Sequence, residues 1–471
     1  MNKFGIKFIL LIMVAATLTS MLLGCSIWSP DYVKPAIDTP SRWAYFESES
    51  LAAENNLAYT AWWQKFNDPV LNRLIESGLI NNNSIGQAYG NLEQAKGQLK
   101  AVELSWLPIT SVYAGYSSNP AFGVPLGVYG IWPQYALFNM FNIIAMQKSA
   151  ELKVASQEKA VDAAKLVLIG QIANSYYTYI AQAAQLKLYT QYQNDLKEIL
   201  DVEQADYQDG ISSEIIVKGL AQKVNAANVQ QKIIENNIIK SQNALRYLIN
   251  GNPGIIVSSA EFTTVNTAYP NVAALPATVL ANRPDVAIAE LEYHLAVQNK
   301  GGEYTQLLPV IQLDSFQGAA NVGNPNPWGG LTTINDAYLE WTLDPKVFGR
   351  IEALKGAQKT AYYTYIDTVK KALRDVDNDL VNHKIADQTY SYANKAYLDA
   401  QQKYLLTLDL YTTGIDPYRT VLYSKLDVDL TMLEVNNMKL IQMITLVNLY
   451  QDLGGGYKYS NHSTEIKSRQ S

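Results

Sequence analysis

Apolar positions along the chain follow two periods. Between Leu188 and Leu200 they fall at Leu188, Tyr192, Leu196, Ile199 and Leu200, with Asn194, Asp195, Lys197, Glu198 and Asp201 on other faces. Steps of three and four residues predict an amphipathic helix. Leu422, Leu426, Leu430, Leu433, Leu440, Ile444 and Val447 step the same way, with Asn437 interrupting. Val421, Val428 and Val435 add a second seam at every seventh residue. Two seams predict a helix packed on two sides, as in a coiled-coil bundle or a wall of helices. Elsewhere the period is two: Gln312 and Asp314 alternate with Ile311 and Leu313, a faint strand signal. From Phe8 to Leu23 the chain is almost wholly apolar without a period, and shorter than the about 20 residues a spanning helix needs. After Leu23 no apolar run is long enough to be a transmembrane helix.

The prolines divide the chain. Of 17, none lies from Gln134 to Asn252, and Pro417 alone interrupts Lys346 to Ser471. Proline breaks helix interiors, and both gaps are rich in Ala, Leu, Lys, Gln and Glu, so each predicts long helices. Each gap contains one turn, "YQDGISSE" around Gly210 and "YTTGIDPY" around Gly414. Glycine suits the left-handed residue that ends a helix. Ser212 or Asp416 is then expected to cap the next helix, with Pro417 at its first position. Each gap thus reads as a helical hairpin. The longer arm of the first runs roughly from Asn139 to Asp206, on the order of 100 Å at about 1.5 Å per residue.

The two hairpins sit in similar surroundings. "WLPITSVYAGYSS" precedes the first and "LLPVIQLDSFQGA" the second, each after a helix-like run. Pro108 to Pro309 and Gly210 to Gly414 are nearly the same distance apart, as are Gly251 and Gly454. A repeat of about 200 residues is too long for a solenoid unit and reads as a duplicated domain. Each half runs helix, strand pair, long helical hairpin. The leading helices start at "NDPVLNRLIESG", with Asp68 as cap and Pro69 first, and at "NRPDVAIAELEY", with Pro284. Strand pairs are expected at about Ile109–Ser118 with Leu126–Phe138 and Val310–Ala319 with Leu331–Leu343, joined by the Gly, Pro and Asn-rich "SNPAFGVP" and "NVGNPNPWGG". The expected divisions are a leader (1–24), an N-terminal segment (25–60), a first repeat (61–253), a linker (254–275), a second repeat (276–455) and a polar tail (456–471). Four faint strands suit an outer-membrane barrel but cannot close one, so several chains would have to share it.

Composition narrows the function classes. A net charge of −6 and a pI near 5.3 argue against a nucleic-acid partner. The 32 tyrosines suit a wet helical surface or aromatic girdles at a bilayer edge. Cys25 is the sole cysteine, so no intramolecular disulfide can form. Lys3, Lys7, the apolar run and Gly24 have the pattern of a secretory signal. "LLGC" resembles the bacterial lipobox, which implies lipidation of Cys25 as the first mature residue. Ser26, where aspartate would favour inner-membrane retention, implies export to the outer membrane.

These features together resemble the TolC-type outer-membrane efflux family, in particular its lipoprotein (NodT-type) branch. The resemblance rests on three blocks: "WWQKFNDPVLNRLIESGLINNNSIGQAYGNLEQAKGQLKAVELSWLP", "RPDVAIAELEYHLAVQNKGGEYTQLLP" and "YTTGIDPYRTVLYSKLDVDL". It implies a mainly α fold with a small β part, in a homotrimer whose four strands per chain make one 12-stranded barrel in outer-membrane lipid. A helical barrel would continue it through the periplasm of a Gram-negative bacterium. It implies a passive exit duct of a tripartite efflux system, docked by a periplasmic adaptor and an inner-membrane pump, RND-type in this branch. The adaptor would meet the helical turns at Gly210, Ser212, Gly414, Asp416 and Pro417. The periplasmic gate would fall at Arg419, Thr420 and Tyr423. The branch commonly has leucine and aspartate where Arg419 and Tyr423 stand, so the chain departs from the pattern at both. Three arginines around a threefold axis would repel one another and attract anions; alternatively, Arg419 pairs with a neighbouring acid and seals the closed state.

Other signals carry less. "DVDND", Asp375 to Asp379, resembles the start of a calcium loop, but Leu380 and Ala386 stand where glycine and glutamate are required, so it reads as a solvated helix face. His294, His383 and His462 have no metal-ligand spacing and read as surface residues. "FGRIEALKG" lacks the GK[ST] of a phosphate loop. With no catalytic set, neither an enzyme nor a cofactor is expected. The alternatives to efflux are the outer-membrane channel of type I protein secretion and a poreless coiled-coil lipoprotein, which would have no use for two strand pairs.

Overall fold

The computed structural model describes residues 32–44, 57–117, 126–136, 140–258, 261–262, 265, 276–322, 332–342 and 344–459. The leader, Cys25 and His462 lie outside them. Helices dominate, in the order α1 (Pro69–Asn81), α2 (Asn83–Leu104), β1 (Ile109–Ser117), β2 (Leu126–Ala136), α3 (Met140–Gln208) and α4 (Glu214–Leu248). The same order repeats as α5 (Pro276–Asn282), α6 (Pro284–Tyr304), β3 (Val310–Val322), β4 (Thr332–Glu340), α7 (Lys346–Thr412) and α8 (Tyr418–Asp452). The long arms are alike, 69 residues in α3 and 67 in α7, and each returns through a 35-residue partner. The proline gaps coincide with these four helices.

The chain divides into two compact units. The first contains the sheet, most of α2 and α6, and the ends of α3 and α7 nearest the strands. Its strands pair antiparallel in the order β1-β2-β3-β4. Register runs through Ile109 opposite Gln134, Leu126 opposite Val322 and Val310 opposite Glu340. Strand period two puts Gln312, Asp314, Tyr338 and Glu340 on one face and Ile311, Leu313 and Leu339 on the other. Leu339 is 63% exposed. β2 and β3 touch closely at Gly130 and Gly318, where a Cβ on Gly318 would collide with Tyr129 O. β1 and β4 each leave one edge without a strand partner among the described residues.

The second unit holds α1, the turns and most of the helical hairpins. Its core forms where α1, α3 and α8 bury Leu71, Ile75, Ile172, Tyr176, Val447 and Tyr450. Trp62 stacks on Tyr450 with ring centres 4.9 Å apart. Asp68 caps α1 by accepting from the Val70 and Leu71 N–H groups (2.8 and 3.2 Å), and takes the Tyr176 hydroxyl (2.5 Å). Thus one carboxylate starts a helix and ties it to α3. Gly454 ends α8 at φ +76°, and a Cβ there would meet Asn282 O at 2.7 Å.

Three expectations are corrected. Tyr457–Tyr459 belong to the packed chain, not to a polar tail: Tyr457 is buried, its hydroxyl donates to Asn282 O (2.9 Å), and Tyr459 packs edge-on against Trp63. Aromatic rings bury well despite a polar tip, so composition hid the packing. His383 is buried between α7 and α8, with Nδ1 3.2 Å from Thr445 Oγ1. Asp379 of "DVDND" turns inward instead of facing solvent. Its Oδ2 is buried without a donor and faces Asp452, which is held by Arg283 at 3.3 Å.

Burial, and then Asp452, push the Asp379 carboxyl up to about 8. The folded protein therefore binds a proton that the unfolded chain releases near the ordinary value of about 3.9. Stability contributed by the neutral acid is complete at low pH and is lost as pH rises towards 8. Thermal unfolding followed from pH 5 to 8 is expected to show stability falling by up to about 1.4 kcal/mol per pH unit from this group, and Asp379→Asn should flatten that slope.

Candidate gate at the helical turns

Both hairpins turn by the same backbone device. Gly210 and Gly414 adopt φ of +74° and +77°. Ile211 and Ser212 N–H bond back to Asp206 O (2.7 and 3.1 Å), and Ile415 and Asp416 N–H to Leu410 O (2.9 and 3.2 Å). Two carbonyls at the helix ends are thereby satisfied, and the chain reverses at the residue where only glycine is unstrained. Ile211 and Ile415 follow the two glycines and are largely exposed.

The caps differ from the sequence expectation by one residue. α4 is capped at Ser213, not Ser212, and α8 at Pro417, not Asp416; neither cap makes a side-chain hydrogen bond. Pro417 at ψ 152° is extended and stands outside the helix, which starts at Tyr418. Proline's fixed φ fits either side of a helix start, so the motif does not distinguish them. Ser212 turns back onto α3 instead, where its hydroxyl donates to Glu203 Oε2 (2.5 Å).

Glu203 begins a polar ladder that joins α3 of the first repeat to α8 of the second. It is 2% exposed and also accepts the Tyr423 hydroxyl at 3.3 Å. Arg419 Nη1 lies 3.4 Å from Asp206 Oδ2, one helical step nearer the turn. Tyr418 donates to Glu198 at 2.7 Å. Lys425 reaches Asp195 at 2.8 Å and Glu198 at 3.9 Å. Thr420 is half-buried beside Arg419, its N–H bonded to Pro417 O (3.0 Å). Alongside the ladder Leu196, Ile199, Leu220, Val224, Leu422 and Leu426 pack as an apolar seam.

Arg419 is therefore occupied within its own chain, and Arg419 and Tyr423 converge on acids of α3. Glu203, Asp206, Asp195 and Glu198 were not singled out in the sequence; Asp195 and Glu198 read there as a polar face. The acids recur at 195, 198, 203 and 206, opposite Tyr418, Arg419, Tyr423 and Lys425. That charge complementarity was the available signal. Half-exposed pairs such as Arg419–Asp206 contribute about 0–1 kcal/mol each. The buried Glu203 weighs more, since a buried acceptor that loses a donor costs about 1–3 kcal/mol. Burial first, then the Glu203 carboxylate, hold the Tyr423 phenol above its ordinary value. It thus stays a donor throughout the physiological range.

Residues 74–251 match the family described as Outer membrane efflux protein. The probable efflux pump outer membrane protein TtgC of Pseudomonas putida is 25% identical across 94% of this chain and 96% of that protein. The probable outer membrane lipoprotein SilC of Salmonella typhimurium is 21% identical across 93% and 97%. Among solved structures, the Neisseria gonorrhoeae MtrE outer membrane channel in its open state superposes with a TM-score of 0.80, at 20% identity over 91% of this chain and 98% of that one. The Campylobacter jejuni CmeC outer membrane channel gives 0.79 at 19% identity, over 94% and 98%.

Removing ladder rungs should loosen the turns. Arg419→Ala combined with Tyr423→Phe is expected to raise uptake of a large antibiotic that the outer membrane normally excludes. Survival curves of cells carrying the variant check this, and unchanged uptake would deny the ladder a gating role.

Proposed function

We propose that this chain belongs to the outer membrane efflux protein family and is the outer-membrane exit duct of a tripartite efflux system. The observation that carries the reading is the sheet. Its outer strands β1 and β4 each leave one edge without a strand partner among the described residues, and one face carries no charged side chain there and exposes Val112, Ile131 and Leu339. No helix among the described residues is long and apolar enough to cross a membrane. In lipid every backbone group needs a partner, so such a sheet crosses only as part of a closed barrel. Three copies joining β1 of one to β4 of the next give a 12-stranded barrel, a size that leaves room for a lumen. The long hairpins then form a periplasmic tunnel, closed at rest by the ladder at its turns.

The duct does no chemistry and holds no energy source. Its partners are two further copies, outer-membrane lipid, a periplasmic adaptor and an inner-membrane pump, RND-type on the lipoprotein-branch resemblance. The adaptor meets the turns around Gly210, Ser212, Gly414, Asp416 and Pro417. Cys25 carries lipid that holds the N-terminus at the outer membrane; each buried methylene adds about 0.8 kcal/mol. The relatives' names, efflux pump outer membrane proteins in Pseudomonas putida, favour efflux over protein secretion.

The test is complementation. Expressed with its own adaptor and pump in a Gram-negative strain lacking an exit duct, the chain should restore efflux of a fluorescent pump substrate, and the pump without it should not. Dye retention despite normal outer-membrane insertion of the chain would contradict the reading. Mass analysis of the same material should find lipid on the mature protein, and Cys25→Ser should remove it.

A further inference from the structure

We propose that Asp429 and Asp195 form a proton-operated latch between α8 and α3, in which a shared proton holds the helices together near the turns and its loss lets them part. The proposal rests on the exit-duct reading for its consequence, not for its chemistry.

Asp195 is 3% exposed. Its carboxylate is well supplied with donors: Lys425 Nζ at 2.8 Å, and Gln191 Nε2 at 3.0 Å to each oxygen. Asp429 lies one helical turn beyond Lys425 and faces the same carboxylate. Its Oδ2 is wholly buried and has no donor. Two ionised carboxylates facing one another with one oxygen wholly buried repel, and like charges there drive one of the pair to keep its proton. The donors decide which. Asp195 already has a cation and an amide as donors, so Asp429, whose Oδ2 has none, takes the proton and donates it to Asp195. The contact between the helices is then an O–H···O⁻ bond, of the stronger, charge-assisted kind.

The groups facing Asp429 are Asp195 and Tyr192 from α3 and Lys425 on its own helix, through which Glu198 is reached at 3.9 Å. Burial, and then Asp195, push the Asp429 carboxyl up to about 7, with Lys425 opposing. The other rungs lack this property. Tyr423–Glu203 and Tyr418–Glu198 are phenol donors held above their ordinary range. In the ladder, then, the carboxyl pair is the rung that responds between pH 6 and 8.

The sign follows from linkage. In the latched state Asp429 binds a proton up to about pH 7. Parted from Asp195 and wetted, it would lose that proton near the ordinary value of about 3.9. The latched form is favoured by acid, and opening releases a proton. Between pH 6 and 8 the open-to-closed ratio should rise about tenfold.

Two readouts on the purified full-length protein test this. Infrared spectra between pH 6 and 8 should contain a protonated-carboxyl stretch that fades as pH rises, and Asp429→Asn should remove it. In planar bilayers the opening frequency of the wild type should rise about tenfold over the same range. Asp429→Asn keeps a donor to Asp195 and should stay at the acid level at both pH values. Asp195→Asn, which removes the facing charge, should shift the response to lower pH. Absence of a carboxyl band that Asp429→Asn removes would overturn the shared proton. The band present with a pH-independent opening frequency would overturn the latch. The band present with no conductance from any variant would refute the exit-duct reading, and the gating consequence with it.

Discussion

A four-stranded sheet whose outer strands each leave one edge without a strand partner, among the described residues, is the constraint on which the proposed architecture depends. Backbone N–H and C=O groups in lipid have no water to turn to, and leaving each bare costs several kcal/mol. In the proposed barrel β1 and β4 would each carry a row of such groups until a neighbouring copy pairs with them. The two edges belong to different repeats of one duplicated chain, so the sheet can extend from copy to copy in one direction and close. Closure then ties the number of copies to the strands each provides. Among the described residues the face with Val112, Ile131, Leu313 and Leu339 carries no charged side chain, and Asp314, Asp336 and Glu340 share the other, as the proposed barrel with lipid outside and water within would need.

The helical unit solves a different problem. In the proposed gate, being tight at rest and still able to open calls for contacts that can be broken one at a time. An apolar seam alone, as at Leu196, Ile199 and Leu422, would hold without discrimination. The ladder alongside it adds direction. Ser212 and Tyr423 converge on buried Glu203, so movement of α8 away from α3 takes one of its two hydroxyl donors from a buried carboxyl group. The same duplication that builds the sheet brings these helices together, since α3 ends the first long arm and α8 starts the second return arm.

Much of this was legible in the sequence because local signals agree with the fold. Proline gaps and runs of good helix formers coincide with α3, α4, α7 and α8, and Gly210 and Gly414 sit at both turns in the left-handed conformation. Asp68 with Pro69 starts α1 by the cap that the motif predicts. What escaped depends on packing between distant segments. Asp195 and Glu198 look like a solvated face until α8 covers them. Asp379 looks exposed until Asp452, 73 positions along by their numbers, meets it. Tyr457 and Tyr459 look like tail residues until Trp63 and Asn282 receive them. The one-residue error at Pro417 is of another kind: proline is compatible with both positions, and only the backbone angle separates them.

The measurement that most directly tests closure of the barrel joins the two sheet edges. One cysteine placed in β1 and one in β4, with Cys25 retained for lipidation, would be treated in outer membranes with a short thiol crosslinker and resolved by mass under denaturing conditions. Closure by three sheets predicts covalent dimers and trimers, nothing larger, and circularised trimers at full reaction. Crosslinks confined within single chains, or a ladder running past three copies, would contradict it.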